Sequence, residues 1–151
     1  MLKRVLMVAA GAAMLMAPVG VAVAQDAQAA YDKRVALMKQ IGANFGGKVN
    51  RVAQGQAEFG PDTVAAAEAL VALGRDMAAV FPVGSNVAGS SSKPEIWTNK
   101  ADFDAKVANY QEKTAALLVA VKTGDKAQIT PASQAMGGAC GACHTPYRAP
   151  K

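Results

Sequence analysis

The sequence predicts an all-α protein, an antiparallel four-helix bundle with a long crossover loop between its second and third helices. Three observations carry that prediction. Apolar residues recur at alternating spacings of four and three, the pattern of a helix that buries one seam. No stretch alternates with the period of two that a half-buried strand requires. Glycine and proline gather between periodic stretches, at Gly55, Gly60, Pro82, Gly84, Gly89, Pro94 and Gly124, and divide the chain into four segments.

The first 24 residues stand outside the bundle. Lys3 and Arg4 precede an uncharged run from Val5 to Gln25, interrupted by Pro18 and Gly20 and closing on Ala22-Val23-Ala24. A positive start, a short apolar centre and an Ala-x-Ala exit describe a cleaved export signal, too short before its breakers to span a bilayer. The expected mature domain is therefore 25–151, periplasmic, with no membrane attachment once the signal is removed. Cleavage after Ala24 leaves 127 of the 151 residues, enough for one hydrophobic core. It also lowers the net charge from +5 to +3 with the loss of Lys3 and Arg4. That balance is too mild for nucleic acid, and no basic run with interleaved aromatics occurs. It leaves room for an acidic protein partner reached by weak electrostatic steering.

In the first helix, from Ala27 to about Gln54, the seam is Tyr31, Val35, Met38, Gly42, Phe45, Val49 and Val52, with Lys33, Lys39, Lys48 and Arg51 off it. Gly60-Pro61-Asp62 opens the second helix, because proline at the first helical position gives up a donor that would have no partner there. Val64, Ala67, Leu70, Val71 and Met77 form its apolar side, and Pro82 ends it after Val80. Residues 82 to about 100, with a triple serine at Ser90 to Ser92, form the crossover, tacked to the core by Ile96 and Trp97. The third helix, Lys100 to Thr123, repeats the four-three spacing at Phe103, Val107, Tyr110, Thr114, Leu117 and Val121. Thr130-Pro131 is the expected cap and first residue of the fourth.

Chemistry concentrates in that last segment. Cys140-Gly141-Ala142-Cys143-His144 holds both cysteines and the sole histidine. Cys-x-x-Cys-His is the attachment signature of c-type haem, in which two thiols add to the vinyl groups and the adjacent imidazole ligates the iron. On a helix, Cys140 and Cys143 share a face at i, i+3, with His144 beside them at i+4 from Cys140. A disulfide is the competing reading in an oxidising compartment, but so small a loop gains little and helical i, i+3 cysteines do not naturally meet its geometry. Structural zinc wants four ligands, and no further Cys or His exists.

Any second axial ligand must come from upstream, since only seven residues follow His144. A thioether suits a low-spin electron-transfer iron. Outside the signal the methionines are Met38, Met77 and Met136, and Met136 lies one turn before Cys140 on the proximal side. Met38 has Arg34 at i−4, so one helix face offers a thioether to iron and a guanidinium to a haem propionate. Met77 has no such companion, because Arg75 is two positions away. On spacing alone, the competing readings are a plain core methionine at 38 and a solvated surface charge at 34.

Lys33-Arg34-x-x-x-Met38-Lys39-x-x-Gly42, Phe81-Pro82, Pro94-x-Ile96-Trp97 and Cys140 to His144 followed by Tyr147-Arg148 together resemble the class II c-type cytochromes, the cytochrome c′ family. The resemblance covers essentially the whole mature chain. It implies one haem c, a contact from Arg34 to a propionate, and Arg148 near the haem on the C-terminal side. Methionine at position 38 is most like the low-spin branch, cytochrome c-556, and implies electron transfer with redox protein partners and no enzymatic activity. A bulky non-ligating residue there would instead imply a five-coordinate cytochrome c′ that binds nitric oxide or carbon monoxide. Family members often pair through their first two helices, so a homodimer is a further expectation. One departure stands out: Pro146, two residues after His144, removes a donor and is expected to end or kink the last helix, against the Arg148 contact.

Overall fold

Gly55 and Gly124 adopt positive φ, 72° and 70°, and stop the first and third helical stretches where the sequence places them. The computed structural model describes residues 19–150, with side chains from residue 26. Within that range α1 spans Val19–Asn44 and continues through a π turn, Phe45–Val49, into the short α2, Asn50–Ala53. Then come α3, Pro61–Arg75; α4, Glu95–Thr98; α5, Lys100–Lys122; and α6, Lys126–Tyr147. No strand occurs among the described residues. Most of the predicted export signal lies outside them, and the α1 backbone runs across the expected cleavage point at Ala24. No helix of the described residues is long and apolar enough to cross a membrane.

The third-helix seam is realised in full: Phe103, Val107, Tyr110, Thr114, Leu117 and Val121 are all buried. On α3 the inward face is small, with Ala66, Ala67 and Gly74 beside Leu70, and this lets α5 approach closely. A Cβ on Gly74 would stand 2.9 Å from the Tyr110 ring. Fully buried Leu70, Phe103, Leu117, Ile129 and Met136 each contribute about 1.5–3 kcal/mol of apolar burial, a term proportional to the surface removed from water.

The first-helix seam is split. Up to Ile41 the buried stripe is Ala30, Arg34, Leu37 and Ile41, one residue earlier than the predicted Tyr31, Val35, Met38 and Gly42. Beyond the π turn the buried residues are Val49 and Val52, on the predicted seam. A π turn closes i to i+5 and so inserts one residue into the helical register, which is the offset observed. The two halves of one sequence periodicity thus face different things. Tyr31, Val35 and Met38 are half-buried and line a cavity, while Val49 and Val52 enter the core.

Three other boundaries differ from expectation. The second helix ends at Arg75, not Val80; i to i−3 bonds from Met77 to Gly74, Ala79 to Asp76 and Phe81 to Ala78 tighten the chain into a separate 3₁₀ turn. The last helix begins four residues before Thr130, at Lys126. Asp125 is the better cap: it has extended backbone, and its carboxylate accepts from the Ala127 N–H at 2.8 Å. Thr130 therefore lies inside α6, where its hydroxyl donates to the Ala53 carbonyl at 3.1 Å. Pro146 does not stop the helix either. It lies on the exposed side, α6 reaches Tyr147, and the Arg148 N–H still donates to the His144 carbonyl at 3.0 Å.

Helix α5 packs on α3 and α6, and α1 packs on α3. The remaining side, between α1 and α6, closes chiefly at the α2 end, where Ser133 also donates to the Asn50 side chain at 2.9 Å. Nearer the C-terminus of α6 the walls part around a cavity. The crossover covers one edge of it. Trp97 Nε1 donates to the Pro82 carbonyl at 2.8 Å, and Ser91 to Lys93 pair with the end of α6 through Lys93 N to Tyr147 O and Ala149 N to Ser91 O.

Candidate cofactor site

All three groups of the Cys140 to His144 stretch line that cavity, whose volume is about 890 Å³. Helix α1 supplies Arg34, Val35, Met38, Lys39 and, from the π turn, Phe45. Helix α5 supplies Phe103, Lys106 and Tyr110, and the crossover contributes Gly89 to Ser92. The size falls within the range of small-molecule and cofactor sites.

The two thiols are free and half-buried. Burial pushes both above the ordinary thiol range, and for Cys143 the neighbouring Cys140 adds to it. Burial lowers the His144 imidazole from its usual value, and the Arg148 charge lowers it further. Neutral imidazole, with an unprotonated ring nitrogen, is the form that can ligate a metal. Among the described residues no group of three or more His, Cys, Asp or Glu could hold a bare ion.

Arg34 is not a solvated charge. It is 4% exposed, and its guanidinium donates to the Val80 carbonyl at 3.1 Å, the Ser85 hydroxyl at 3.2 Å and the Ser85 carbonyl at 3.0 Å. The Phe81 ring centroid lies 4.9 Å from it, with Tyr31 and Trp97 at 5.6 and 5.9 Å. Desolvation lowers its pKa, and no carboxylate pairs with it among the described residues. It is a buried cation on the wall of a cavity.

Met38 and Met77 both line the cavity, and Met136 does not. Met77 is the more buried of the two and belongs to the packed core; Met38 is packed against that core from the cavity side. Arg148 is exposed at the cavity edge. Several site residues carried no sequence signal. Ser85 is buried in an aperiodic loop, and its hydroxyl relays from Arg34 to the Pro82 carbonyl at 2.7 Å. Tyr147 was noted only as a motif neighbour, yet it is buried and its hydroxyl donates to Asp102 at 2.6 Å, tying α6 to α5. Their partners are 45 or more residues away in sequence, beyond any local pattern.

The lining suits a large, flat, mainly apolar and anionic group. Val35, Ile41, Phe45, Phe81, Phe103 and Ala139 supply apolar surface, and Arg34, Lys39, Lys106 and Arg148 supply charge, with no carboxylate among the lining residues. Haem meets that description, and two thiols stand ready on the wall. The family model described as Cytochrome C' matches residues 29–148. The chain belongs to the cytochrome c′ family. Its cofactor is accordingly a covalently bound haem c, and Cys140 and Cys143 are the only cysteines in the sequence.

Similar proteins carry two names. A cytochrome c-556 from Agrobacterium tumefaciens strain B2A is 37% identical over 123 residues, covering 80% of this chain and 97% of its own length. A cytochrome c' from Rhodospirillum rubrum is 35% identical over 157 residues and covers 98% of this chain and 99% of its own. Among solved structures, the nitric oxide complex of a mutant of cytochrome c prime from Alcaligenes xylosoxidans superposes with a TM-score of 0.76 at 29% identity. It covers 83% of this chain and 97% of that one.

Proposed function

We propose that this cytochrome carries electrons in the periplasm, with His144 as proximal and Met38 as distal ligand of its single haem c, and that it is not an enzyme. The observation that supports this reading is the placement of Met38 on the α1 wall of the cavity whose α6 wall carries Cys140, Cys143 and His144. When bound, the haem supplies an iron that accepts and returns one electron. The chain's own part is to hold both sides of that group. Neutral His144 offers a ring nitrogen, Cys140 and Cys143 fix the macrocycle to α6, and Met38 offers a thioether from a helix packed on α3. Ligation from two packed helices keeps reorganisation small. Arg34 and Arg148 are the proposed counter-charges for the propionates. The export signal expected from the sequence at residues 1–24 supports the periplasmic assignment.

A second reading has its own support: a solved relative is a nitric oxide complex, and the relatives include proteins named cytochrome c'. In that reading Met38 only fills the distal space and the vacant axial position takes a gas. The absorption spectrum of the holoprotein separates the two. A low-spin spectrum unaffected by carbon monoxide is expected, with Met38→Ala turning high-spin and responsive to the gas while Met77→Ala stays low-spin. A high-spin wild type would overturn Met38 ligation, and loss of the chromophore on denaturation would overturn covalent attachment through Cys140 and Cys143.

A further inference from the structure

A four-residue turn at the start of the crossover builds the surroundings of Arg34. In Pro82-Val83-Gly84-Ser85 the Ser85 N–H donates to the Pro82 carbonyl at 3.2 Å, and Gly84, with φ of 83°, supplies the left-handed third residue of a type II turn. The Ser85 hydroxyl closes the same turn, donating to the Pro82 carbonyl at 2.7 Å. With its proton committed there, that oxygen faces the Arg34 guanidinium as an acceptor. Ser85 is 1% exposed, so the arrangement is shielded from water.

A guanidinium has five N–H donors, and the protein uses three of them. Nη1 donates to the Val80 carbonyl and the Ser85 hydroxyl, and Nη2 donates to the Ser85 carbonyl. Ser85 thus takes a bond from each terminal nitrogen and occupies the end of the fork. The donors left over, on Nε and Nη2, are neighbours on one edge, with the spacing that suits a single carboxylate. Arg34 is buried on the cavity wall, and it forms no ion pair among the described residues. A buried cation calls for a counter-charge, and here the protein supplies none. Of the cations on that wall Arg34 is also the one that solvent screens least, since Lys39 and Arg148 are exposed and Lys106 lies 3.6 Å from Asp102.

We infer that Ser85 is a positioning residue for the cofactor: it fixes the Arg34 guanidinium so that its Nε–Nη2 edge serves a haem propionate, and it thereby raises the reduction potential of the iron. This rests on the reading of Arg34 as a propionate counter-charge, and adds the residue that aims it and the property so set. Ferric haem carries one positive charge more than ferrous haem. A cation held still in a site that excludes water therefore favours the ferrous form, and more so than a mobile or hydrated one. Phe81, Tyr31 and Trp97, with ring centroids 4.9 to 5.9 Å from the guanidinium carbon, keep water from its faces. Without the Ser85 hydroxyl, Nη1 loses one acceptor and seeks water to replace it, which draws the charge away from its fixed place.

The test is a spectroelectrochemical titration of the holoprotein at fixed pH and salt. Ser85→Ala removes the hydroxyl but keeps the carbonyl that Nη2 also uses. Its ferrous-to-ferric ratio at a given applied potential should fall about threefold, a potential lower by about 28 mV at 59 mV per tenfold for one electron. Arg34→Gln, which removes the cation itself, should lower the ratio about tenfold, or about 59 mV. Gly84→Ala, whose methyl meets open space but whose φ it strains, disturbs the turn from a second position and should shift the ratio in the same direction as Ser85→Ala. Ser133→Ala deletes a hydroxyl of equal burial, bonded to Asn50 and outside the cavity lining, and should cost stability without moving the potential. A shift with Arg34→Gln and none with Ser85→Ala would overturn the inference and leave Arg34 as the counter-charge; no shift with either would overturn both. A rise in Ser85→Ala, or an equal fall in Ser133→Ala, would also overturn it. The bands of the same samples report the axial ligands, and a changed spin state in Ser85→Ala would move its effect to those ligands and overturn the inference.

Discussion

Removing the guanidinium of Arg34 should unpin the Ala78–Val80 turn and the start of the crossover at Ser85 from α1, and the structure sets the scale. Arg34→Ala leaves the buried carbonyls of Val80 and Ser85 without their side-chain donor and strips the Ser85 hydroxyl of its input. Each buried acceptor left unpaired costs about 1–3 kcal/mol. The stem of the side chain and the aromatic faces of Phe81, Tyr31 and Trp97 add about 1 kcal/mol of lost contact. Against this stands the desolvation of an unpaired cation, which the variant recovers. The net expectation is a loss of about 3 kcal/mol in urea unfolding of the holoprotein, equivalent to a drop of roughly 10 °C in Tm for a domain of this size. Arg34→Lys keeps the charge but lacks the fork that serves three acceptors on two residues, and should lose about half as much. Haem contact could contribute to either value, so Ser85→Ala supplies the control. If the protein–protein bonds carry the effect, Arg34→Ala and Ser85→Ala should couple by about 1 kcal/mol in a double-mutant cycle. Strict additivity, or a single-variant loss under about 0.5 kcal/mol, would refute the reasoning and return Arg34 to a role exercised only through the cofactor.

Gly74→Ala puts a methyl 2.9 Å from Cε1 and 3.3 Å from Cδ1 of the buried Tyr110 ring, so the usual helical gain of alanine over glycine is overridden. A net loss of about 1–2 kcal/mol is expected in thermal unfolding, and a shifted haem band should accompany it because Tyr110 lines the cavity. Tyr147→Phe tests the α5 to α6 tie through pH. The Tyr147 hydroxyl holds the Asp102 carboxyl below its usual range, and that bond pushes Tyr147 up to about 12. A depressed acid stabilises above its unfolded pKa and loses this as pH falls; a raised tyrosine stabilises below its unfolded pKa and loses this as pH rises. Wild type should therefore exceed Tyr147→Phe in stability between about pH 4 and 10, the unfolded values of these groups, and the two curves should converge outside that window. A constant offset across the window and beyond it would assign the difference to packing alone.

Legibility from sequence followed the range of the interactions. The motif at Cys140 to His144 was readable because its three groups act within one turn of one helix, and α5 was readable because each inward position meets the core directly. Caps were partly readable. Gly60-Pro61 started α3 as expected, with the Gly60 N–H donating to the Thr63 hydroxyl at 3.3 Å. Thr130-Pro131 misled because Asp125, five residues earlier, satisfies the same orphan donors, and one proline on the exposed side of an established helix leaves only one carbonyl without its partner. Ser85 and Asp102 were invisible, since their significance lies in partners brought close only by folding.

The seam of the first helix carries the deeper lesson. Its four-three spacing runs unbroken from Tyr31 to Val52, and a continuous seam is ordinarily taken as one continuous buried face. Here the backbone changes register under it. The π turn, containing Gly46 and Gly47 with open space around both, inserts a residue, so the first half of the seam faces the cavity and the second half faces the core. Met38 owes its position to this division. Had α1 run on as a regular helix, a register that buries Val49 and Val52 would have carried Tyr31, Val35 and Met38 toward the core with them. The residues that now bury in their place are Ala30, Arg34, Leu37 and Ile41, and two of those are anchors for other elements: Arg34 for the Ala78–Val80 turn and Ser85, and Leu37 for the core cluster. One inserted residue therefore lets a single helix serve a hydrophobic core with one half and a cofactor wall with the other.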